Sequence, residues 1–133
     1  MKIHYAIILL STSLPAGLSQ AQDDADTVRS LMKSVVIPQS DIVFAVGKKA
    51  PANENEWSQI VQSAAQLTEA AKSLSTRIPA ASTESWRNAS QAMANAAIRV
   101  GAAAKSKNAD AVLDAGDLLY ESCEACHRQH LRK

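Results

Sequence analysis

Aromatic residues make up only 4% of this 133-residue chain, and it contains just 4 glycines. No glycine-rich loop is present to cradle a phosphate, and no strand-and-turn signal announces a sheet. The formal charge is +1, with no basic patch interleaved with aromatics, so a nucleic-acid partner is not indicated. No serine–histidine–acid arrangement and no paired-carboxylate motif stands out, which leaves neither a hydrolase nor a nucleotide enzyme to argue for. The chain is expected to be something other than an enzyme. Internal repeats, low-complexity tails and long linkers are also missing, so one small domain is expected.

What the chain has in abundance is alanine, which suits helices that approach closely. Val28, Leu31, Met32, Val35 and Val36 recur at helical spacing, one apolar stripe after a start rich in aspartate. Pro38 is expected to break or kink that run, with Ser40 and Asp41 placed to cap a short continuation through Ile42, Val43, Phe44 and Val46. A second helix should open near Asn53 or Asn55, carry Trp57, Ile60, Val61, Ala64, Leu67, Thr68, Ala71 and Leu74 inward, and turn over Ser75 to Ala81. A third should run from Ser82 or Thr83 to about Lys105 with Trp86, Ala89, Met93, Ala96, Val100 and Ala103 inside. Gly101 within it suits the approach of another backbone or of a bound group. Asn108 is a good N-cap for a fourth, whose inner face reads Val112, Leu113, Gly116, Leu119, Cys123, Cys126 and His127. Four helices with short links predict an all-α, up-down-up-down four-helix bundle.

The two cysteines of the chain fall in Cys123-Glu124-Ala125-Cys126-His127, which is C-x-x-C-H, the attachment signature of c-type haem. Two thiols add to the two vinyl groups of one haem, and the histidine that follows offers an imidazole nitrogen to the iron. A thioredoxin-like pair should instead open a helix after a strand, where the dipole lowers the thiol pKa. Here the preceding pattern is helical and places the thiols near a helix C-terminus. A zinc site from Cys123, Cys126, His127 and His130 would crowd four ligands into eight residues of one helix, a poor surround for a tetrahedral ion. His130, one turn beyond His127, cannot reach the opposite face of the same iron.

At the other end, Met1-Lys2, the apolar run Tyr5 to Leu10 and Ser19-Gln20-Ala21 read as a cleavable signal peptide over 1–21, leaving a mature domain of 22–133. The run is too short to span a bilayer, which needs about 20 residues. Of the 14 Lys and Arg residues only Lys2 lies in that segment, so the remainder balances 13 acidic residues. Export to the periplasm agrees with the motif, because c-type haem is attached outside the bacterial cytoplasm.

A helical bundle with C-x-x-C-H on its last helix resembles the class II cytochromes c, the cytochrome c-prime family and its low-spin relatives. The similarity covers residues 24–133. It is carried by Cys123-Glu-Ala-Cys126-His127-Arg128-Gln-His130 and, more briefly, by Arg29-Ser-Leu31-Met32-Lys33 in the first helix. The family usually has an aromatic where His130 stands, and the Pro38-Gln-Ser-Asp41 segment departs from cytochrome c-prime itself. The resemblance implies one covalent haem c held by Cys123 and Cys126, with His127 as proximal iron ligand on a C-terminal haem-attachment helix. It makes Met32 the candidate distal ligand, as in low-spin relatives; Met93 has no ligand counterpart there. The implied function is a periplasmic electron carrier, passing single electrons between periplasmic or membrane-bound redox proteins. The alternative is a gas-binding protein with an open iron face, and a haem-free bundle with a Cys123–Cys126 disulfide is the third reading. Many family members form homodimers through their first two helices, and the resemblance extends to that arrangement. Trp57, Trp86, Phe44 and Tyr120 are the aromatics available to wall the ring, and Arg77, Arg87 and Arg99 the cations available to its propionates.

Overall fold

The computed structural model describes residues 27–77 and 83–131. The predicted signal peptide, 1–21, lies outside the described residues. Those residues form four helices and, among them, no strand. Helix α1 covers 27–47, α2 Glu54–Thr76, α3 Thr83–Lys105 and α4 Ala109–His130. None of them is long and apolar enough to cross a membrane. Extensive contacts join α2 to α3 and α3 to α4, while α1 lies on α2 and touches α4 more sparingly. The result is compatible with a helical bundle, with a core of small and aliphatic side chains in which Leu67, Ala71, Ala97, Val100 and Leu119 are fully enclosed.

Helix α1 does not break at Pro38. It passes through a π-helical turn at Met32–Val36, continues as α-helix over Ile37–Phe44 and tightens to a 3₁₀ turn at Ala45–Gly47. The physical reason lies in the proline. Pro38 has no N–H to give to Ser34, four residues back, and its ring presses on that carbonyl. Widening the turn relieves this: Ile37 N–H reaches back five residues to Met32 O. Ser40 does not cap a new helix. Its hydroxyl donates within the same one, to Val36 O at 2.8 Å and Ile37 O at 3.0 Å.

Two asparagines start helices where the sequence places them. Asn53 accepts from Glu56 N at 3.0 Å, and the Glu56 carboxylate accepts from Ala52 N at 2.7 Å, so each side of the α2 start satisfies the other. Asn108 accepts from Ala111 N at 3.0 Å. Replacing Asn53 with alanine is expected to lower stability by about 1 kcal/mol in urea titrations of the folded domain. Helix α2 runs on to Thr76, past the predicted start of the turn at Ser75. Its end is tied to α3 by the Trp86 indole, which donates to Leu74 O at 2.7 Å. Between the same helices Gly101 lies where a Cβ would stand 3.4 Å from Ala64 Cβ, so the close approach it permits is to α2. Helices α1 and α2 share a hydrogen bond from Ser63 Oγ to Gln39 Oε1 at 2.8 Å.

Candidate cofactor site

At the end of the fold that holds the last turns of α4, the helices part around a cavity of about 450 Å³. Helix α4 presents Cys123, Cys126 and His127 to it, and α1 presents Met32, Val36, Ile37, Ser40 and Phe44. Leu74 of α2 and Ala89, Ser90 and Met93 of α3 complete the inner wall. The C-x-x-C-H motif and Met32, more than ninety residues apart in sequence, thus border the same space. No family model, curated protein or solved structure matches the chain. The site is therefore read from its own chemistry.

Why these residues converge follows from the helices that carry them. Cys123 and Cys126 are one turn apart on α4, so both fall on the side that Leu119 and Ser122 turn toward the core. The α1 and α4 helices meet below the cavity, where Val43 and Phe44 lie about 4 Å from the position of a Cβ on Gly116. Above that contact Phe44 meets Tyr120 edge to face, with ring centroids 6.2 Å apart. A Cβ at position 116 would make only ordinary van der Waals contact there, and beyond that contact the cavity opens between the two helices.

Both cysteines are free thiols and half-buried. Burial pushes the Cys123 thiol above its ordinary value, opposed by a hydrogen bond from Ser122, and burial with repulsion from Cys123 pushes up Cys126. Thiols in this state are poor nucleophiles for disulfide exchange at neutral pH, the reverse of a thioredoxin-like pair. In protein without haem, alkylation by iodoacetamide is expected to follow a pH midpoint above that of an ordinary thiol. The rise comes because the charged thiolate is the form that burial penalises. Denaturant should bring the midpoint back down, which a stopped-time alkylation series would show.

Among the described residues, no three His, Cys, Asp or Glu side chains gather closely enough to hold a bare metal ion. The thiols and the imidazole are spread along a wall, which suits a flat group large enough to span them. Haem fits this donor set. Two thiols, an imidazole and a thioether face a cavity whose remaining walls are largely aliphatic and aromatic, and its volume falls in the range of small-molecule sites. When bound, haem would supply an iron centre that changes its charge by one electron. Cys123 and Cys126 would hold it, His127 would offer its imidazole, and Val36, Phe44, Leu74 and Met93 would keep water from its inner side.

Several placements differ from the sequence reading. Of the four aromatics named as walls, Phe44 and Tyr120 line the cavity and Trp57 and Trp86 do not. Arg77, Arg87 and Arg99 are not on it either; the cation at its edge is the exposed Arg128. Met93 is core, 5% exposed, yet it also borders the cavity. Leu113, 39% exposed, stands off the inner face of α4. His130 packs on α3 instead, its ring 5.1 Å from that of Trp86 and its Nε2 3.3 Å from Ser85 Oγ. Ser90 stands four residues after Trp86 and three before Met93, on the inner stripe of α3, but a serine there carries no signature that sets it apart from ordinary helix surface.

Proposed function

We propose that the chain is a c-type cytochrome carrying one covalent haem in the cavity between α1, α3 and α4. The observation that carries this is the shared cavity: Cys123, Cys126, His127 and Met32 all line it. In this reading the fold is an up-down-up-down bundle with α4 as the haem-attachment helix. Pairs of contacts between α2 and α3 support it, since Leu74 meets Trp86 while Ala64 meets Gly101, as in antiparallel neighbours. The short link 106–108 turns α3 back into α4 in the same way. The similarity to class II cytochromes c in the motif and its place on the last helix points in the same direction.

The function that follows is electron carriage. Thioether links hold the ring in place, and a nitrogen ligand from His127 with a sulfur ligand from Met32 would leave the iron little to rearrange on gaining or losing an electron. A histidine–methionine pair also sets a high potential. Donors and acceptors would be larger redox proteins, soluble or membrane-bound, in the periplasm, the compartment where c-type haem is attached. The test is an optical spectrum of protein expressed with the haem-attachment machinery. Sharp α and β bands in the reduced state, and haem that stays with the denatured protein after acid–acetone extraction, are expected. A colourless product overturns the reading; a covalent but high-spin haem moves it to gas binding.

A further inference from the structure

The four buried polar side chains of the described residues are Ser63, Thr68, Ser90 and Ser122. Three have partners. Ser63 Oγ donates to Gln39, Thr68 Oγ1 to Ala64 O and Ser122 Oγ to Leu119 O. Ser90, 4% exposed, has no side-chain hydrogen bond to another of the described residues. Serines in helix interiors commonly donate to a carbonyl one turn back, as Thr68 does, so this hydroxyl has left its easiest partner aside. No fully enclosed side-chain nitrogen or oxygen in the described residues lacks a partner. The Ser90 hydroxyl must therefore keep its opening to the cavity it lines. Its bonding capacity is directed into that space, where a molecule that enters can accept its hydrogen bond.

Its position narrows what that is. Trp86 meets His130 across α3 and α4. One turn along α3 from Trp86 is Ser90, and one turn back along α4 from His130 is Cys126, so Ser90 stands at the level of the second thiol. Haem held by those thiols would present mainly carbon and thioether sulfur beside them. The hydroxyl thus has no strong acceptor on the ring itself. His127 is exposed, whereas Ser90 and Met93 are buried. His127 would hold such a ring from the solvent side, which leaves Met32, Met93 and Ser90 to its inner side.

We infer that Ser90 is the hydrogen-bond donor for a small uncharged ligand, water or a diatomic gas, bound on the inner face of the haem. A single neutral hydroxyl among aliphatic walls suits such a ligand and not an anion, whose desolvation it could not offset. The inference rests on the haem reading above. With Met32 on the iron the hydroxyl would hold a water beside it; with that position vacated it would donate to the iron-bound ligand.

The test compares M32A with M32A/S90A and M32A/S90T, each purified with covalent haem, reduced and exposed to carbon monoxide. A donor to the bound oxygen atom lowers the C–O stretching frequency and slows release. The S90A substitution is expected to raise the infrared band and to speed carbon monoxide dissociation about fivefold, the equivalent of a hydrogen bond of about 1 kcal/mol. The S90T substitution, which keeps the hydroxyl, should return both toward the parent. Circular dichroism of the three proteins should coincide, and if S90A folds poorly M32A/S90V, which matches S90T in shape but lacks the hydroxyl, carries the test. An unchanged band and rate with haem attached overturn the role of Ser90 while leaving the haem reading intact. A shift confined to the His127 ring signals in NMR, with the carbon monoxide band unmoved, also overturns it, placing Ser90 on the other face. Failure of the unsubstituted chain to acquire covalent haem under conditions where a control cytochrome does would instead sink the haem reading itself.

Discussion

Serine at both Cys123 and Cys126 is expected to abolish covalent haem, so that heating in detergent and acid–acetone extraction leave a colourless polypeptide. The thiols are the groups that can bond to the vinyl carbons, and they stand one turn apart on the same side of α4. Serine preserves shape and polarity to within one atom, so the bundle has no reason to refuse the change before haem arrives. Either single replacement should leave at most one thioether and a strong loss of holoprotein, read by haem staining on denaturing gels. The same variants reveal what the cavity contributes to stability. Without a covalent ring, the walls formed by Val36, Phe44, Leu74 and Met93 face a space of about 450 Å³. Such a space costs dispersion contacts on every side. Haem-free protein should melt at a lower temperature and less cooperatively than the holoprotein. Equal thermal midpoints would show that the ring lies outside the core.

The second large effect concerns Met32. Replacing it with alanine is expected to turn a low-spin spectrum high-spin, to lower the reduction potential and to let carbon monoxide bind at once. Loss of the sulfur ligand removes the partner that raises the potential of a histidine-ligated iron. Met93 provides the control, and a demanding one, because its thioether borders the same cavity. Replacing Met93, which is 5% exposed, should cost stability of about 2–5 kcal/mol while leaving spin state and potential in place. If M93A is the variant that turns high-spin, the ligand comes from α3 and not from α1. A wild type that is already high-spin would reduce both methionines to packing.

Much of the scaffold was legible because its signals are local. Asn53 and Asn108 announce helix starts through side-chain acceptors that need only the next three residues. The inner stripe of α2, Ile60, Ala64, Leu67, Ala71 and Leu74, is buried as its period requires. The motif on α4 is equally local, since three of its positions suffice to define it. What escaped depends on contacts between helices. The α2 helix continues to Thr76 while Trp86, twelve residues on from Leu74, takes up its carbonyl. Leu113 was counted with Val112 on the inner face, but adjacent positions diverge by about 100° and only Val112 is enclosed. Met93 and Ser90 line the cavity because α3 faces α1 across it, a relation no single stripe encodes. Pro38 reads as a break or a kink because the local rule considers only the missing donor; the wider turn that restores pairing lies just before it in the chain.

That wider turn separates two jobs in one helix. A five-residue hydrogen-bonded reach stores one residue more than the regular spiral, so side chains before and after it differ in phase by about 100°. Val43 and Val46, beyond the turn, are fixed by the core, and Met32, at its start, faces the cavity. An insertion or deletion of a single amino acid among residues 32–36 would therefore re-aim the thioether without disturbing the packing further along. Helix α1 is in this sense a jointed arm: its length over residues 32–36, as much as the residue at 32, decides whether a sulfur faces the cavity.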